Sequence, residues 1–399
     1  MLLTSYEQEM LEGKNGIAAQ KAMQILVALG KIYGAEDMVP VSSVQIAGVS
    51  YDNLGEAGLE FLSEMANHGG KTKVLATLNP AGMDLENWHN MGISPEFANQ
   101  QIRVIQAFEK MGIQTSCTCT PYLAGNCPNF GNHIAWSESS AVTYANSVLG
   151  ARTNREGGPS ALAAALTGVT PRYGYHLLEN RIPDLKVIMD CSISGSMEFG
   201  ALGKVIGNII DTFSTNRVVY IQGIFTASLE ELKSFSASIA TFGGAAMFHM
   251  ENITPEFHTV PVPATEVVIK KTIVDQAIQS LNNAQDSEID FVSLGCPHLS
   301  ISEISILAKK LDGKKVRKTM WITTSRANKR ISDQLGFTSI IEKAGAIFAV
   351  DTCCVVAPIK GRFTGLVTDS AKACYYAAGK NRFKTRILRF EDAIDEALK

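Results

Sequence analysis

The apolar positions of the chain change period repeatedly. Where they recur every three or four residues the spacing predicts helices; where they run together or alternate it predicts short strands. A capping box at Thr4 and Glu7 opens a short helix that stops near Gly13, and helical spacing then fills 16–33 up to Gly34. Strand patterning covers 39–49, followed by a helix over 54–68, a strand over 73–78 and a helix over 95–111. The alternation returns as strand 186–189, helix 198–213, strand 217–225 and helix 228–240. It continues as helix 264–282, strand 289–294, helix 300–311, strands 319–324 and 346–350, and helix 368–378. This order predicts an α/β fold built on mainly parallel sheets. Small residues and prolines interrupt it at 195–197 and 259–265, which divides the chain into an N-terminal α/β lobe (1–195), a middle α/β segment (196–262) and a C-terminal α/β lobe (263–399).

Composition narrows the function classes. Of 399 residues, 46% are hydrophobic and 19% charged, the balance of a folded chain with room for more than one domain. Basic residues number 36 and acidic ones 39, a net charge of -3 that argues against a nucleic-acid face or a polybasic membrane surface. The first residues lack the basic and apolar regions of a signal peptide, and no apolar run approaches the roughly 20 residues needed to cross a bilayer. A cytoplasmic location is expected. Eight cysteines are too sparse for a disulfide framework, so in a reducing compartment they are read as thiols or ligands.

In parallel α/β folds function gathers at the carboxyl ends of strands. Four such loops carry reactive residues. They are Cys117-Thr118-Cys119-Thr120-Pro121, Gly295-Cys296-Pro297-His298, Asp351-Thr352-Cys353-Cys354 and Leu78-Asn79-Pro80-Ala81-Gly82. A single cysteine is usually a small buried hydrophobe. Three strand-end cysteines brought together would instead suit an iron–sulfur cluster or a soft metal. Sequence leaves open which thiol of Cys117/Cys119 and of Cys353/Cys354 would bind. Zinc with close-spaced cysteine pairs is disfavoured by the absence of a CxxC motif. A hydrolase using His133, His249 or His298 as metal ligands, and a non-catalytic scaffold, remain as readings from other classes.

Two further stretches are rich in polar groups. Residues 137–140, Ser-Glu-Ser-Ser, would cap a helix over 138–149, and Ser160 would cap the next. Between them Gly150-Ala151-Arg152-Thr153-Asn154-Arg155-Glu156-Gly157-Gly158 carries two arginines suited to carboxylate or phosphate and glycines that would let backbone amides approach a ligand. Gly48-Val49-Ser50-Tyr51-Asp52-Asn53 leads from a strand into a helix, where backbone amides could hold an anion. Lys372 sits in a small-residue helix and taken alone reads as an ordinary solvated lysine.

Taken together, AGVSYDNLG (47–55), ATLNPAGMD (76–84), CTCTPYL (117–123), HIAWSESSAV (133–142), YANSVLGARTNREGGPSALAAALTG (144–168), PRYGYHLLENR (171–181), LGCPHLS (294–300) and DTC (351–353) resemble the large, catalytic subunit of the aconitase X family. They occur in order over most of the chain. The resemblance implies an aconitase-like, multi-domain α/β arrangement of mainly parallel sheets around a central cleft. It implies an iron–sulfur cluster, expected to be 4Fe-4S, with Cys119, Cys296 and Cys353 as ligands. Gly48, Val49, Ser50, Asn79, Pro80, Glu138, Ser139 and Lys372 would contact substrate. A small swivelling-domain subunit, separate from this chain, would complete the enzyme as a heterodimer or higher assembly and would supply the serine base, so no catalytic base is assigned here. The reaction implied is a dehydration in which the cluster acts as Lewis acid. Its substrate would be (R)-5-phosphomevalonate, giving trans-anhydromevalonate 5-phosphate in isoprenoid biosynthesis, with cis-3-hydroxy-L-proline as the alternative.

Overall fold

The computed structural model describes residues 1–399. In chain order its first part holds α1 (Ser5–Leu11), α2 (Ile17–Ile32), β1 (Met38–Pro40), β2 (Ser43–Ile46), α3 (Tyr51–Asn67), β3 (Leu75–Leu78), α4 (Pro95–Lys110), β4 (Ala135–Trp136), α5 (Ser139–Tyr144), α6 (Gly158–Thr167) and β5 (Val169–Pro171). Strands β3, β2 and β4 form a parallel sheet in that order, and β1 pairs antiparallel with β5. The single strand expected over 39–49 is therefore two strands in two sheets. Pro40 lacks an amide hydrogen for the ladder and ends β1 at an edge.

A second part follows: β6 (Leu185–Asp190), α7 (Gly195–Phe213), β7 (Val218–Gln222), α8 (Leu229–Gly243), β8 (Met247–Met250), β9 (Glu266–Lys270) and α9 (Lys271–Ser280). Its four strands are all parallel in the order β8-β7-β6-β9. The helix expected over 264–282 begins instead as β9, because the β-branched Val267, Val268 and Ile269 fit a pleated edge better than a helix. The expected seams at 195 and 262 fall inside this sheet unit, since β6 precedes the first and β9 follows the second.

The third part holds β10 (Ile289–Leu294), α10 (Ile301–Leu311), β11 (Thr319–Thr324), α11 (Arg326–Gln334), α12 (Phe337–Lys343), β12 (Ile347–Val350), β13 (Gly365–Thr368), α13 (Ala371–Tyr376), β14 (Lys384–Ile387) and α14 (Phe390–Leu398). Its five strands are parallel in the order β12-β11-β10-β13-β14. The mainly parallel α/β architecture read from the sequence is thus present.

Each part buries its own apolar core, around Met23, Leu26, Val44 and Phe108 in the first, Leu185, Phe199, Phe235 and Phe248 in the second, and Ile304, Ile322 and Ile341 in the third. A fourth cluster joins Met83, Met91 and Ala98 of the first part to Phe291, Trp321 and Cys354 of the third. Burying side chains of this size stabilises by about 1.5–3 kcal/mol each. That shared core holds two strand-end regions against each other. No helix is long and apolar enough to cross a membrane.

Candidate active site

Two short helices built alike carry the central charged pair. Glu138 caps α5, and Lys372 lies in the first turn of α13, which is capped by the Ser370 hydroxyl accepting from the Ala373 amide at 3.1 Å. Both helices widen into a π turn, over Ala145–Leu149 and Ala377–Asn381. The expected helix over 138–149 is thus one α segment and one π segment; π turns of this kind often mark functional sites.

The Lys372 ammonium lies 2.5 Å from Glu138 Oε1, with the two side chains 9% and 12% exposed. Glu138 also accepts from Asn79 Nδ2 at 2.8 Å and from the Ser140 hydroxyl at 2.9 Å. Burial alone would raise the Glu138 carboxyl, but the Lys372 charge beside it, with Ser140 and Asn79, outweighs burial and holds it at about 2. Burial likewise works against the Lys372 charge, and Glu138 with the neighbouring thiols keeps it above the usual lysine range. The pair is therefore ionised across the neutral range. The Asn79 carbonyl oxygen and the Thr352 hydroxyl are buried without a partner. Such orphaned groups are rare unless a ligand or water meets them.

The structure separates the paired cysteines that the sequence left open. The acidities of Cys119, Cys296 and Cys353 each respond to both Glu138 and Lys372. Cys117 responds to Asp351 and Arg326 instead, and its positive φ of 40° turns it into the first core. Cys354 packs into the shared core. Burial pushes the Cys296 thiol up to about 12 and also raises Cys119 and Cys353. Thiols held this way become ligands only where a cationic group removes their protons. All eight cysteines are free. No three His, Cys, Asp or Glu side chains converge at the spacing of a single-ion centre. Three spread thiols suit the separate irons of an iron–sulfur group better than one zinc or iron ion.

The expected substrate loops meet at the same place. Gly48 has a φ of 78°, and the amides of Gly48, Val49 and Ser50 have no intramolecular acceptor. Ser50 begins α3 without a side-chain cap bond, its hydroxyl 3.4 Å from the Val356 carbonyl just beyond Cys353. Pro80 is buried, and the Ala81 amide after it donates to the Asp351 carbonyl at 2.8 Å. Ser139 is buried at the start of α5. Only the glycine end of the arginine loop reaches this group: a Cβ on Gly158 would lie 2.8 Å from the Ala47 carbonyl oxygen, and the Gly157 carbonyl accepts from the Ser137 hydroxyl at 3.4 Å. Arg155 is exposed, Arg152 lies near the His133–His176 pair, and Glu156 accepts from Ser160 at 2.5 Å, so its hydroxyl partner serves the α6 turn. His133 and His249 lie apart from it: His133 and His176 bond each other at 2.9 Å, and His249 bonds the Arg181 carbonyl at 2.8 Å. A cavity of about 640 Å³ is lined by Asp84, Arg326 and Val350 and by none of the three cysteines.

Family models cover nearly the whole chain: the aconitase X first domain over residues 1–179, the second over 183–281 and the third over 289–399. The chain belongs to the aconitase X family. It is similar to the phosphomevalonate dehydratase large subunit of Methanothermobacter thermautotrophicus, with 46% identity over 94% of this chain and 93% of that protein. To the large subunit of that name from Thermococcus kodakarensis it is 42% identical over 100% of both chains. The cis-3-hydroxy-L-proline dehydratase of Pseudomonas aeruginosa is 31% identical over 94% of this chain but only 66% of that protein. Among solved structures, the crystal structure of Thermococcus kodakaraensis aconitase X (holo-form) superposes with a TM-score of 0.92 at 42% identity over 100% of both chains.

Within this aconitase X chain, sequence reasoning missed two residues that hold the site together. Gln101, fully buried on α4, accepts from the Tyr51 and Gly82 amides at 3.0 Å and donates to the Val49 carbonyl at 3.0 Å. It locks the Gly48–Ser50 loop to the Asn79–Gly82 loop. Arg326 bridges Asp84 of the first part and Asp351 of the third. A glutamine inside an amphipathic helix and an arginine at a helix start carry no local signal; only their buried polar partners reveal them.

Proposed function

We propose that this chain is the large subunit of a hydro-lyase that dehydrates (R)-5-phosphomevalonate to trans-anhydromevalonate 5-phosphate, working with a separate small subunit. The observation that carries this reading is one of length and likeness together. The chain spans 92–100% of the phosphomevalonate dehydratase large subunits it matches, at up to 46% identity, but only 65–66% of the hydroxyproline dehydratases, at 31–32%.

In this reading Cys119, Cys296 and Cys353 hold a 4Fe-4S cluster. When bound, such a group supplies a Lewis acid for a leaving hydroxyl. This chain's own residues bind and orient. The free amides of Gly48–Ser50 receive one anionic end of the substrate, as helix-start amides do. Lys372 donates to Glu138 alone, so its remaining N–H groups face a carboxylate or the negative charge that develops beside it as the proton leaves. Asn79, anchored through Glu138, leaves its carbonyl oxygen for a substrate hydroxyl. Ser139 and Pro80 close the walls. The proton is taken by the small subunit, since none of these groups is a free base at neutral pH.

The test is product formation from (R)-5-phosphomevalonate by the chain purified anaerobically with its small subunit. The anhydro product is expected. No product from a preparation that contains iron and sulfide would overturn the substrate and make cis-3-hydroxy-L-proline the next compound to assay.

A further inference from the structure

His298 is wholly buried, and every polar group it owns is engaged with a cysteine-bearing loop or with the element behind one. Its Nε2 lies 3.0 Å from the carbonyl of Thr352, next to Cys353. Its Nδ1 lies 3.0 Å from the hydroxyl of Thr118, next to Cys119. Its own amide donates to Cys119 Sγ at 3.3 Å. Its carbonyl accepts from Lys233 Nζ at 3.0 Å, and it is itself two residues from Cys296.

The bond directions follow from chemistry. A carbonyl only accepts, so Nε2 carries the ring proton and donates it to Thr352. Nδ1 is then an acceptor, and the Thr118 hydroxyl donates to it. Thr118 in turn receives the Thr120 amide at 3.2 Å. Both ring nitrogens are thus spent, which removes His298 from the candidate metal ligands. The turn before it is tightly built: Gly295 has a φ of 108°, and a Cβ there would lie 2.2 Å from the Thr323 carbonyl oxygen.

We propose that His298 is a positioning residue that sets the spacing of the three thiols, one imidazole joining the loops of Cys119 and Cys353 to the loop of Cys296. The proposal rests on the reading of these cysteines as cluster ligands. Groups that orient metal ligands in this way commonly change metal affinity by about 10–100-fold when removed. The amide on Cys119 Sγ also tunes the electron richness of that sulfur, because hydrogen bonds to ligand sulfurs help set cluster potentials.

The experiment compares wild type, His298→Ala, Thr118→Val and Thr118→Ser, each loaded anaerobically in complex with the small subunit. Iron and sulfide release to a chelator, and the electron paramagnetic resonance spectrum of the reduced cluster, are read for each. Labelling of Cys119 by iodoacetamide in the iron-free chain is followed by mass spectrometry. His298→Ala is expected to release iron about tenfold faster or more, with an altered spectrum and faster labelling. Thr118→Val, which keeps the side-chain volume, shifts all three readouts the same way by less, and Thr118→Ser restores them. Release, spectrum and labelling all as in wild type for both His298→Ala and Thr118→Val would overturn the proposal. If His298→Ala does not fold, Thr118→Val alone decides. Wild type that takes up no iron would remove the cluster reading, and unchanged labelling in the iron-free variants would separately remove this one.

Discussion

Two buried lysine–glutamate pairs join different parts of the chain, and they differ in what is left over. Lys372–Glu138 links the third part to the first, and Lys233–Glu303 links the second to the third, both at 2.5 Å. Lys233 also donates to the His298 carbonyl, and Glu303 also accepts from the Ser300 amide at 2.8 Å. Around that second pair the protein itself supplies the partners. Around the first, Lys372 has a single acceptor while the Asn79 oxygen and the Thr352 hydroxyl have none. A buried ion pair whose surroundings are complete is structural. One with unspent donors beside three thiols is, in the proposed function, the place that receives substrate.

The comparison breaks first on activity. Lys372→Met is expected to lower kcat/KM by more than about 100-fold, the usual loss when one donor to a developing charge is removed. Loss on that scale, with iron content unchanged, separates substrate binding from cluster binding. On stability the two pairs should behave alike. Removing either lysine alone strands a buried carboxylate and is expected to cost about 3–5 kcal/mol, read by denaturant unfolding of the iron-free chain. Removing both partners, as in Lys233→Met with Glu303→Met, should recover most of it, because a buried pair replaced by apolar groups is often neutral. A double variant as unstable as the single one would show that the pair does more than compensate itself.

Smaller effects sharpen the division among the thiols. Cys119→Ser should lose bound iron, whereas Cys117→Ala should keep it and cost about 1–2 kcal/mol for a lost core group. Equal iron loss in both would reverse the assignment. A further signal is in acid. Glu138 is held at about 2 in the folded chain against an ordinary 4.5, so its contribution is complete above about pH 4.5 and fades as pH falls towards 2. Glu138→Gln should flatten that part of the stability–pH curve; an unchanged slope would mean the carboxylate is not paired as described.

How far the sequence reached follows the same division. Cys296 and Cys353 were legible because each follows a strand, β10 and β12, and reactive residues there stand out; the loop of Cys119, read the same way, follows only an isolated bridge at Gln114. The helix misread at β9 and the unread strands β13 and β14 share a cause: four- or five-residue strands such as Gly365–Thr368 and Lys384–Ile387 are too short for a period to declare itself. The choice between Cys117 and Cys119 was closed to sequence because it depends on a backbone turn at φ 40°. Arg152 and Arg155 looked like ligand groups by composition, yet the chain path carries them elsewhere. Lys372 read as an ordinary solvated lysine and His298 as a candidate metal ligand; burial and partners, which no local pattern encodes, support the roles proposed for them.

The thiols come from loops that lie far apart along the polypeptide, the first in the part made earliest and the last in the part made near the end. During synthesis, at about 5–20 residues per second, the early loop leaves the ribosome long before its counterparts exist. A nascent chain shorter than Cys353 therefore cannot present the full set. Under the proposed cluster reading, assembly requires that the loop of Cys353 has been made and that the shared core around Met83, Phe291 and Trp321 has closed, which ties iron delivery to a docked polypeptide.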